Sequence, residues 1–95
     1  MPYVRISTVK PNAGREQHVE KLMRDIAESV AATPGCREST VLKSDDSSGE
    51  IVRITIYDDD RAAAQTANDA HVMALRSELH LAVEAGHSER SYHTL

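Results

Sequence analysis

The chain has 95 residues, of which 40% are apolar and 27% are charged, and its net charge is −4. These values predict one globular domain over residues 1–95, and the sequence has neither the basic tract of a nucleic-acid-binding protein nor an apolar run near the ~20 residues that span a bilayer. Cys36 is the only cysteine, so an internal disulfide is excluded and a cytoplasmic location is expected.

The first strand is predicted at residues 3–10, where apolar and polar side chains alternate. Val4 and Ile6 then point to one face of the strand, and Arg5 and Ser7 point to the other. If the protein is a dimer, Arg5 and Ser7 are expected at the interface between its subunits.

The clearest helix is predicted over residues 15–32, where apolar residues such as Met23 recur at the spacing of one helical stripe. Asn12 precedes this helix and is a candidate for its N-terminal cap. Residues 33–35, Thr-Pro-Gly, end the helix, because proline cannot continue the hydrogen-bond ladder and glycine turns the chain.

Two further strands, residues 36–43 and 50–57, flank the turn-forming segment 44–49 and predict a hairpin. Strand 50–57 carries apolar residues on both faces, whereas a strand with one wet face should alternate more cleanly. We therefore expect helices on one side of this strand and a second subunit on the other side.

The last third of the chain predicts a helix and a short strand. Three acidic residues, 58–60, precede the helical stretch 61–83, and acidic residues favour a helix N-terminus through its dipole. A metal site is disfavoured there, because the sequence shows no second cluster of ligands. Residues 90–94 predict a short fourth strand.

The predicted order β-α-β-β-α-β is that of the ferredoxin-like fold, an α+β arrangement with one antiparallel sheet and both helices on one face. The other face would be bare in a monomer, and a bare face that carries isoleucine and valine is an association surface. The sequence thus predicts a homodimer that forms through its sheet faces.

The predicted catalytic residues, Asn68 and His71, lie on the second helix. If residues 61–83 form one unbroken helix, both side chains fall within or beside the apolar stripes that face the core. A polar group buried there needs a hydrogen-bond partner. The fold can supply that partner, which is the commoner case for a lone histidine, or a cavity between helix and sheet can admit a ligand that supplies it.

The walls of such a cavity are predicted from three other side chains. Tyr57 at the end of the third strand, Leu75 and Met23 are the candidate substrate-binding residues, and the alternative for Tyr57 is a sheet-edge position with a wet hydroxyl. Cys36 has no acid–base partner in the sequence and is expected to act as a small hydrophobic residue. No cofactor is expected, because three tyrosines are the only aromatic residues that could stack on a flavin or a haem.

Three segments of the chain resemble the antibiotic biosynthesis monooxygenase family, a branch of the dimeric α+β barrel superfamily. They read YVRISTVKPNAGREQHVEKLMRDI at residues 3–26, PGCREST at 34–40 and IVRITIYDDDRAAAQTANDAHVMAL at 51–75. In the last segment, the step from 70 to 72, Ala-His-Val, is similar to an Ala-His-Leu-like step of that family. The resemblance implies a homodimer whose sheets pack into a barrel, with a pocket between sheet and helices in each subunit.

The resemblance also bears on the activity. Haem-degrading relatives use a tryptophan that this chain lacks and an asparagine that its first strand lacks, so haem degradation is disfavoured. Cofactor-independent oxygenases of the family place Asn, Trp, Tyr and Arg around an aromatic substrate, and Asn68 and Arg76 are the residues of this chain that could take such roles. Tyr57 stands at the end of the third strand, where members of this family tend to have a tryptophan.

Three functions remain open from the sequence. The first is a cofactor-independent monooxygenase in which Asn68 and His71 hydrogen-bond the phenolate or quinol oxygen of a small aromatic substrate. The second is a non-catalytic dimer that binds a small ligand. The third is an interaction module in which Leu75, Leu79 and Met23 fill the core and leave no pocket.

Overall fold

The computed structural model describes residues 1–95 as four strands and three helices. In chain order these are β1 (Tyr3–Val9), α1 (Glu16–Ala31), β2 (Cys36–Lys43), β3 (Ile51–Tyr57), α2 (Asp60–Ala67), α3 (Ala70–His80) and β4 (Ser88–His93). The strands form one antiparallel sheet in the order β2-β3-β1-β4. This arrangement confirms the predicted ferredoxin-like α+β fold. None of the helices is long and apolar enough to cross a membrane.

The register of the sheet determines which side chains lie under the helices. Residues directly opposite each other in antiparallel strands point to the same face, and β1 and β3 pair Arg5 with Thr55 and Ser7 with Arg53. Ser7 and Arg53 are 8% and 5% exposed, so this face is the one that the helices cover. The expectation that Arg5 and Ser7 lie at a subunit interface is therefore wrong, because the helices already cover their face.

The other face of the sheet, called the open face below, has no helix on it. Its β1 and β3 side chains are only half-buried, and the neighbouring strands add two exposed apolar residues. The apolar members of the open face are Val4, Ile6, Val52, Ile54, Ile56, Leu42 and Tyr92. A continuous apolar surface of this kind is typical of an association site.

Helix α1 supplies the largest part of the core. Its buried stripe follows the predicted helical spacing and consists of Val19, Leu22, Met23, Ile26, Ala27 and Val30. The predicted cap is wrong, since Arg15 is the N-cap residue and no side chain bonds to the first turn. Asn12 instead accepts from the backbone N–H of Arg15 through its carbonyl and donates its own N–H to the carbonyl of Ala82, each at 2.9 Å.

The stretch predicted as one helix over residues 61–83 is two helices, so that prediction is wrong. Helix α2 ends at Ala67 with Asn68 as its C-cap, and Asp69 starts α3 by accepting a hydrogen bond from the backbone N–H of Val72 at 3.0 Å. Aspartate is one of the best N-cap residues, and a cap inside a periodic stretch begins a new helix. Asp59 caps α2 in the same way through the N–H of Ala62 at 2.9 Å, which confirms the predicted acidic helix start.

Candidate functional site

The break between α2 and α3 changes the surroundings of the two predicted catalytic residues. Asn68 and His71 are both exposed, so the expectation that they lie on the core-facing side of a helix is wrong. His71 and Leu75 border an open surface depression between α3 and α1, opposite Asp25 and Glu28. The reason is that a helical wheel carried across residue 69 assumes a continuous helix, which Asp69 interrupts.

The predicted substrate-binding residues separate in the structure. Met23 is 0% exposed and belongs to the apolar core. Leu75 is half-buried, packs against that core and also borders the depression next to His71. Tyr57 is 2% exposed and is the one predicted site residue that lines a recess between the sheet and the helices.

This recess, called the arginine recess below, lies where α2 and α3 meet over the sheet. Its polar lining consists of Arg5, Arg53, Tyr57, Thr66, Arg76 and Glu89. Its volume is only ≈ 10 Å³, which is about the room that one water molecule needs.

Strand β3 places two of these side chains in the recess by simple alternation. Arg53, Thr55 and Tyr57 are separated by two residues each, so they point to the same face of the sheet. Strand β1 adds Arg5 directly opposite Thr55, and Glu89 of β4 lies opposite Ser7 of β1. The recess is therefore built on the rigid central strands.

Arg53 is the most buried charged residue of the site. Its Nη1 donates to Thr55 Oγ1 at 2.9 Å, its Nη2 donates to Ser7 Oγ at 3.5 Å, and its Nε has no partner. Burial lowers the pKa of the Arg53 guanidinium, and the nearby Tyr57 and Glu89 oppose that shift. Arginine is not deprotonated in proteins, so the group stays charged.

Glu89 holds the other two guanidinium groups. Its Oε1 lies 3.3 Å from Arg5 Nε, and its Oε2 accepts from Arg76 Nη2 at 2.9 Å. One carboxylate thus bridges the sheet and α3. The site contains three cationic side chains and one anionic side chain, so it carries excess positive charge.

Two tyrosines face each other across β1 and β3 at the edge of this site and have opposite pKa shifts. Burial raises the pKa of Tyr57, against the charges of Arg53 and Arg5. Hydrogen bonds with Ser91 and Arg5 lower the pKa of Tyr3, and the Arg5 Nη2 lies 3.5 Å from the Tyr3 hydroxyl. Arg5 therefore favours the anion of both tyrosines, but for Tyr57 the desolvation outweighs this effect, whereas Tyr3 is less buried.

Sequence reasoning missed Arg5, Arg53 and Glu89 as site residues, and it named Arg76 only through the family resemblance. A signal was present for Arg53, which is the one charged residue of strand segment IVRITIY. Alternation along that segment predicts that Arg53 and Tyr57 share a face. No comparable signal marks Glu89, which lies on a wholly exposed edge strand.

Side chains outside the recess add little chemistry. Cys36 is half-buried, its Sγ donates to the Glu38 carbonyl at 3.6 Å, and burial raises the pKa of its thiol, which fits the predicted role as a small hydrophobic residue. Asp58 forms an ion pair with Arg37 at 2.6 Å. No group of three or more His, Cys, Asp or Glu side chains is arranged to hold a metal ion.

A model of the antibiotic biosynthesis monooxygenase family matches residues 2–86. The structure is similar to that of Rv0793 from Mycobacterium tuberculosis, with a TM-score of 0.92 and 19% identity over 100% of this chain and 96% of that chain. It is similar to PA3566 from Pseudomonas aeruginosa, with a TM-score of 0.86 and 20% identity over 99% and 94%. It is also similar to SnoaB, a cofactor-independent oxygenase from Streptomyces nogalater, with a TM-score of 0.87 and 15% identity over 99% and 93%. No curated protein matches the sequence.

Proposed function

The chain belongs to the antibiotic biosynthesis monooxygenase family, and we propose that it is a cofactor-independent monooxygenase that oxidises a small quinol-type substrate in the arginine recess. The observation that carries the proposal is the convergence of three guanidinium groups and Tyr57 on one recess between the sheet and the helices. The similarity in fold to SnoaB, a cofactor-independent oxygenase, supports the reaction class.

The recess supplies what such a reaction needs from a protein. A phenol reacts with oxygen far more readily as its phenolate, and a nearby guanidinium group lowers the pKa of a phenol by stabilising the anion. The side chains of Arg5 and Arg76 are 20% and 29% exposed, so water screens their charges only partly, and they can stabilise a phenolate in contact with them as Arg5 does for the anion of Tyr3. The substrate itself then provides the electrons for oxygen.

The reaction balances without a cofactor. With hydroquinone as substrate, one atom of O₂ replaces a ring hydrogen and forms a new carbon–oxygen bond, and the other atom leaves as water. The product is hydroxy-1,4-benzoquinone, and the electrons removed from the ring are those that reduce O₂. The protein's residues bind and ionise the substrate and exclude water.

Substrate entry requires the recess to open, because ≈ 10 Å³ does not hold an aromatic ring. Asn68 directly follows Ala67, which lines the recess, and it stands at the junction of α2 and α3. We therefore propose that the recess opens beside Asn68, so that its exposed side chain meets an incoming substrate. A catalytic role for His71 stays a prediction, since His71 borders a different depression.

The open face supports a homodimer as part of this proposal. Its central residues, Ile6, Ile54 and Ile56, are half-buried in the single chain and form one apolar surface with their neighbours. Packing two such faces against each other removes this surface from water. The cytoplasmic location expected from the lone Cys36 also belongs to the proposal.

The test is oxygen uptake with a panel of hydroquinones under ¹⁸O₂. We expect a quinone product that carries one ¹⁸O atom, and we expect Arg76→Gln to lower kcat/KM by about 100-fold or more, since it removes a donor to the developing anion. Arg61→Gln, which removes an exposed arginine of α2 outside the recess, is the matched control and should keep the activity of the wild type. His71→Ala tests the catalytic role predicted from the sequence for a residue that borders a different depression. Loss of activity in His71→Ala alone would instead support the site predicted from the sequence.

The small volume of the recess also fits a second function, that of a non-catalytic protein that binds a small ligand. The cationic lining of the recess would bind a small ligand whether or not a reaction follows. Thermal stabilisation by hydroquinones without ¹⁸O incorporation would favour this second function over the monooxygenase.

A further inference from the structure

The charges of the arginine recess do not balance within the chain. Arg5, Arg53 and Arg76 face the single carboxylate of Glu89. Solvent screens these charges only partly, since Arg53 is 5% exposed and the side chains of Arg5 and Arg76 are 20% and 29% exposed. A concave site of one sign with low-dielectric walls attracts an ion of the opposite sign.

The guanidinium group of Arg53 is the one in the recess without a charged hydrogen-bond partner. Its two Nη atoms donate to the neutral hydroxyls of Thr55 and Ser7, and its Nε donates to nothing. No carboxylate of the chain forms an ion pair with it. Burying a cation without a counter-anion is unfavourable, so the anion that balances Arg53 is expected from a ligand.

Glu89 already marks the position that a carboxylate can take. It lies on β4, an edge strand that is hydrogen-bonded only to β1 and is exposed along its whole length. A rotation of its side chain toward solvent frees Arg5 and Arg76 without disturbing the apolar core. The two guanidinium groups are then arranged to bind another carboxylate in the same place.

We infer that the preferred substrate is an acidic quinol, an aromatic ring that carries a carboxylate next to its hydroxyl groups. The carboxylate displaces Glu89 from Arg5 and Arg76, and a ring hydroxyl, ionised to the phenolate that the proposed reaction requires, supplies the anion that meets the free Nε of Arg53. This inference deepens the proposed function and rests on it, because it identifies the class of substrate for the same recess.

Two probes isolate the contribution of the carboxylate. Hydroquinone and 2,5-dihydroxybenzoate share a ring with two para hydroxyl groups, and only the second carries a carboxylate. We expect the wild-type protein at neutral pH to bind 2,5-dihydroxybenzoate at least about tenfold more tightly in calorimetric titrations, as charge-assisted hydrogen bonds imply. The preference in kcat/KM for ¹⁸O incorporation should have the same sign.

Three variants assign that preference to the recess. Arg76→Gln should bind the two probes equally, whereas Arg61→Gln, which removes an exposed arginine of α2 outside the recess, should keep the preference. Arg76→Lys keeps the charge but loses the forked geometry, so it should retain part of the preference and serves if Arg76→Gln does not fold. Glu89→Gln should bind 2,5-dihydroxybenzoate more tightly than the wild type, because the neutral amide competes less for the two arginines.

The outcomes separate the inference from the proposed function. Equal affinity of the wild type for both probes, or weaker binding of 2,5-dihydroxybenzoate by Glu89→Gln, would overturn the inference. If hydroquinone is oxygenated as readily as the acid, the inference fails and the proposed function stands. If the acid binds selectively through Arg76 but no ¹⁸O is incorporated, the proposed function fails and the anion site stands.

Discussion

The two faces of the sheet reverse the usual distribution of polarity. The face under the helices carries Arg5, Ser7 and Arg53 near its centre, while the open face carries isoleucine at positions such as 6 and 54. A globular domain normally buries its apolar residues and exposes its charged ones. The charged centre of the helix-covered face therefore lacks a counter-ion, and the open face lacks an apolar cover.

The comparison shows how a small domain divides its sheet between stability and function. At one end of the helix-covered face, Val9 and Ile51 are 3% and 2% exposed and pack with α1 into the apolar core. Toward the other end, Arg53 replaces apolar packing with a charged recess, while Tyr57 both lines that recess and belongs to the apolar core. The open face then supplies apolar surface for association, which a chain of this size commonly needs in addition to its own core.

Among the variants that test the two faces, Ile54→Asp should have the largest effect, because it places a charge in the middle of the apolar open face. Ile54 lies on the central strand β3, opposite Ile6 on one side and Thr40 on the other. In a sheet-to-sheet dimer the new carboxylate would be buried without a partner, at a cost of several kcal/mol. We expect the dissociation constant of the dimer to rise at least ~100-fold, measured by analytical ultracentrifugation.

Gln17→Asp is the control for that experiment, because it adds the same charge at an exposed position on α1. It should leave the dimer intact. A wild-type protein that sediments as a monomer at micromolar concentration would contradict the dimer directly.

Arg53→Met tests the helix-covered face and should change the free energy of unfolding by an intermediate amount. Methionine fills a similar volume without a buried charge, and replacements of this kind are often neutral or stabilise a protein by about 1–4 kcal/mol. Thr55 keeps a hydroxyl partner in Ser39 at 3.0 Å. We therefore expect a higher free energy of unfolding in urea at fixed protein concentration, together with loss of activity.

Arg61→Met, on the exposed surface of α2, is the matched control and should change the free energy of unfolding by less than about 0.5 kcal/mol. A clear loss of stability in Arg53→Met would show that this arginine serves the fold rather than a ligand.

The fold was predictable because its signals are local and periodic. The first strand and helix, predicted at residues 3–10 and 15–32, are observed at Tyr3–Val9 and Glu16–Ala31. Alternation, helical spacing and a Pro-Gly stop identify such elements without knowledge of their neighbours. The fourth strand was also found, although the structure extends it to Ser88–His93.

The site was less predictable because its residues come from elements distant in the sequence. Arg53, Arg76 and Glu89 meet only because the sheet order brings β4 beside β1 and β1 beside β3, and no local pattern reveals that order. Asn68 and His71 were misplaced for a different reason. The helical-wheel projection assumed one continuous helix over residues 61–83, whereas the Asp69 side chain caps the start of a second helix.

The smallest expected effect is a difference in the pH at which Tyr3 and Tyr57 ionise. These two residues lie opposite each other in β1 and β3, and the difference reports how deeply each is buried. The pKa of Tyr3 is lowered by its hydrogen bonds with Ser91 and Arg5, and the pKa of Tyr57 is raised by burial. In an ultraviolet titration of tyrosinate absorbance, Tyr3→Phe should remove an early component and Tyr57→Phe a late one.

Because the folded state raises the pKa of Tyr57, its contribution to stability is present below the pKa of the unfolded chain and is lost as the pH rises through the folded value. The contribution of Tyr3 has the opposite sign, since it is present at high pH and is lost as the pH falls through its lowered pKa. If Tyr57 ionised before Tyr3, water would already fill the inner end of the recess, and the burial that separates the two tyrosines in the structure would be absent in solution.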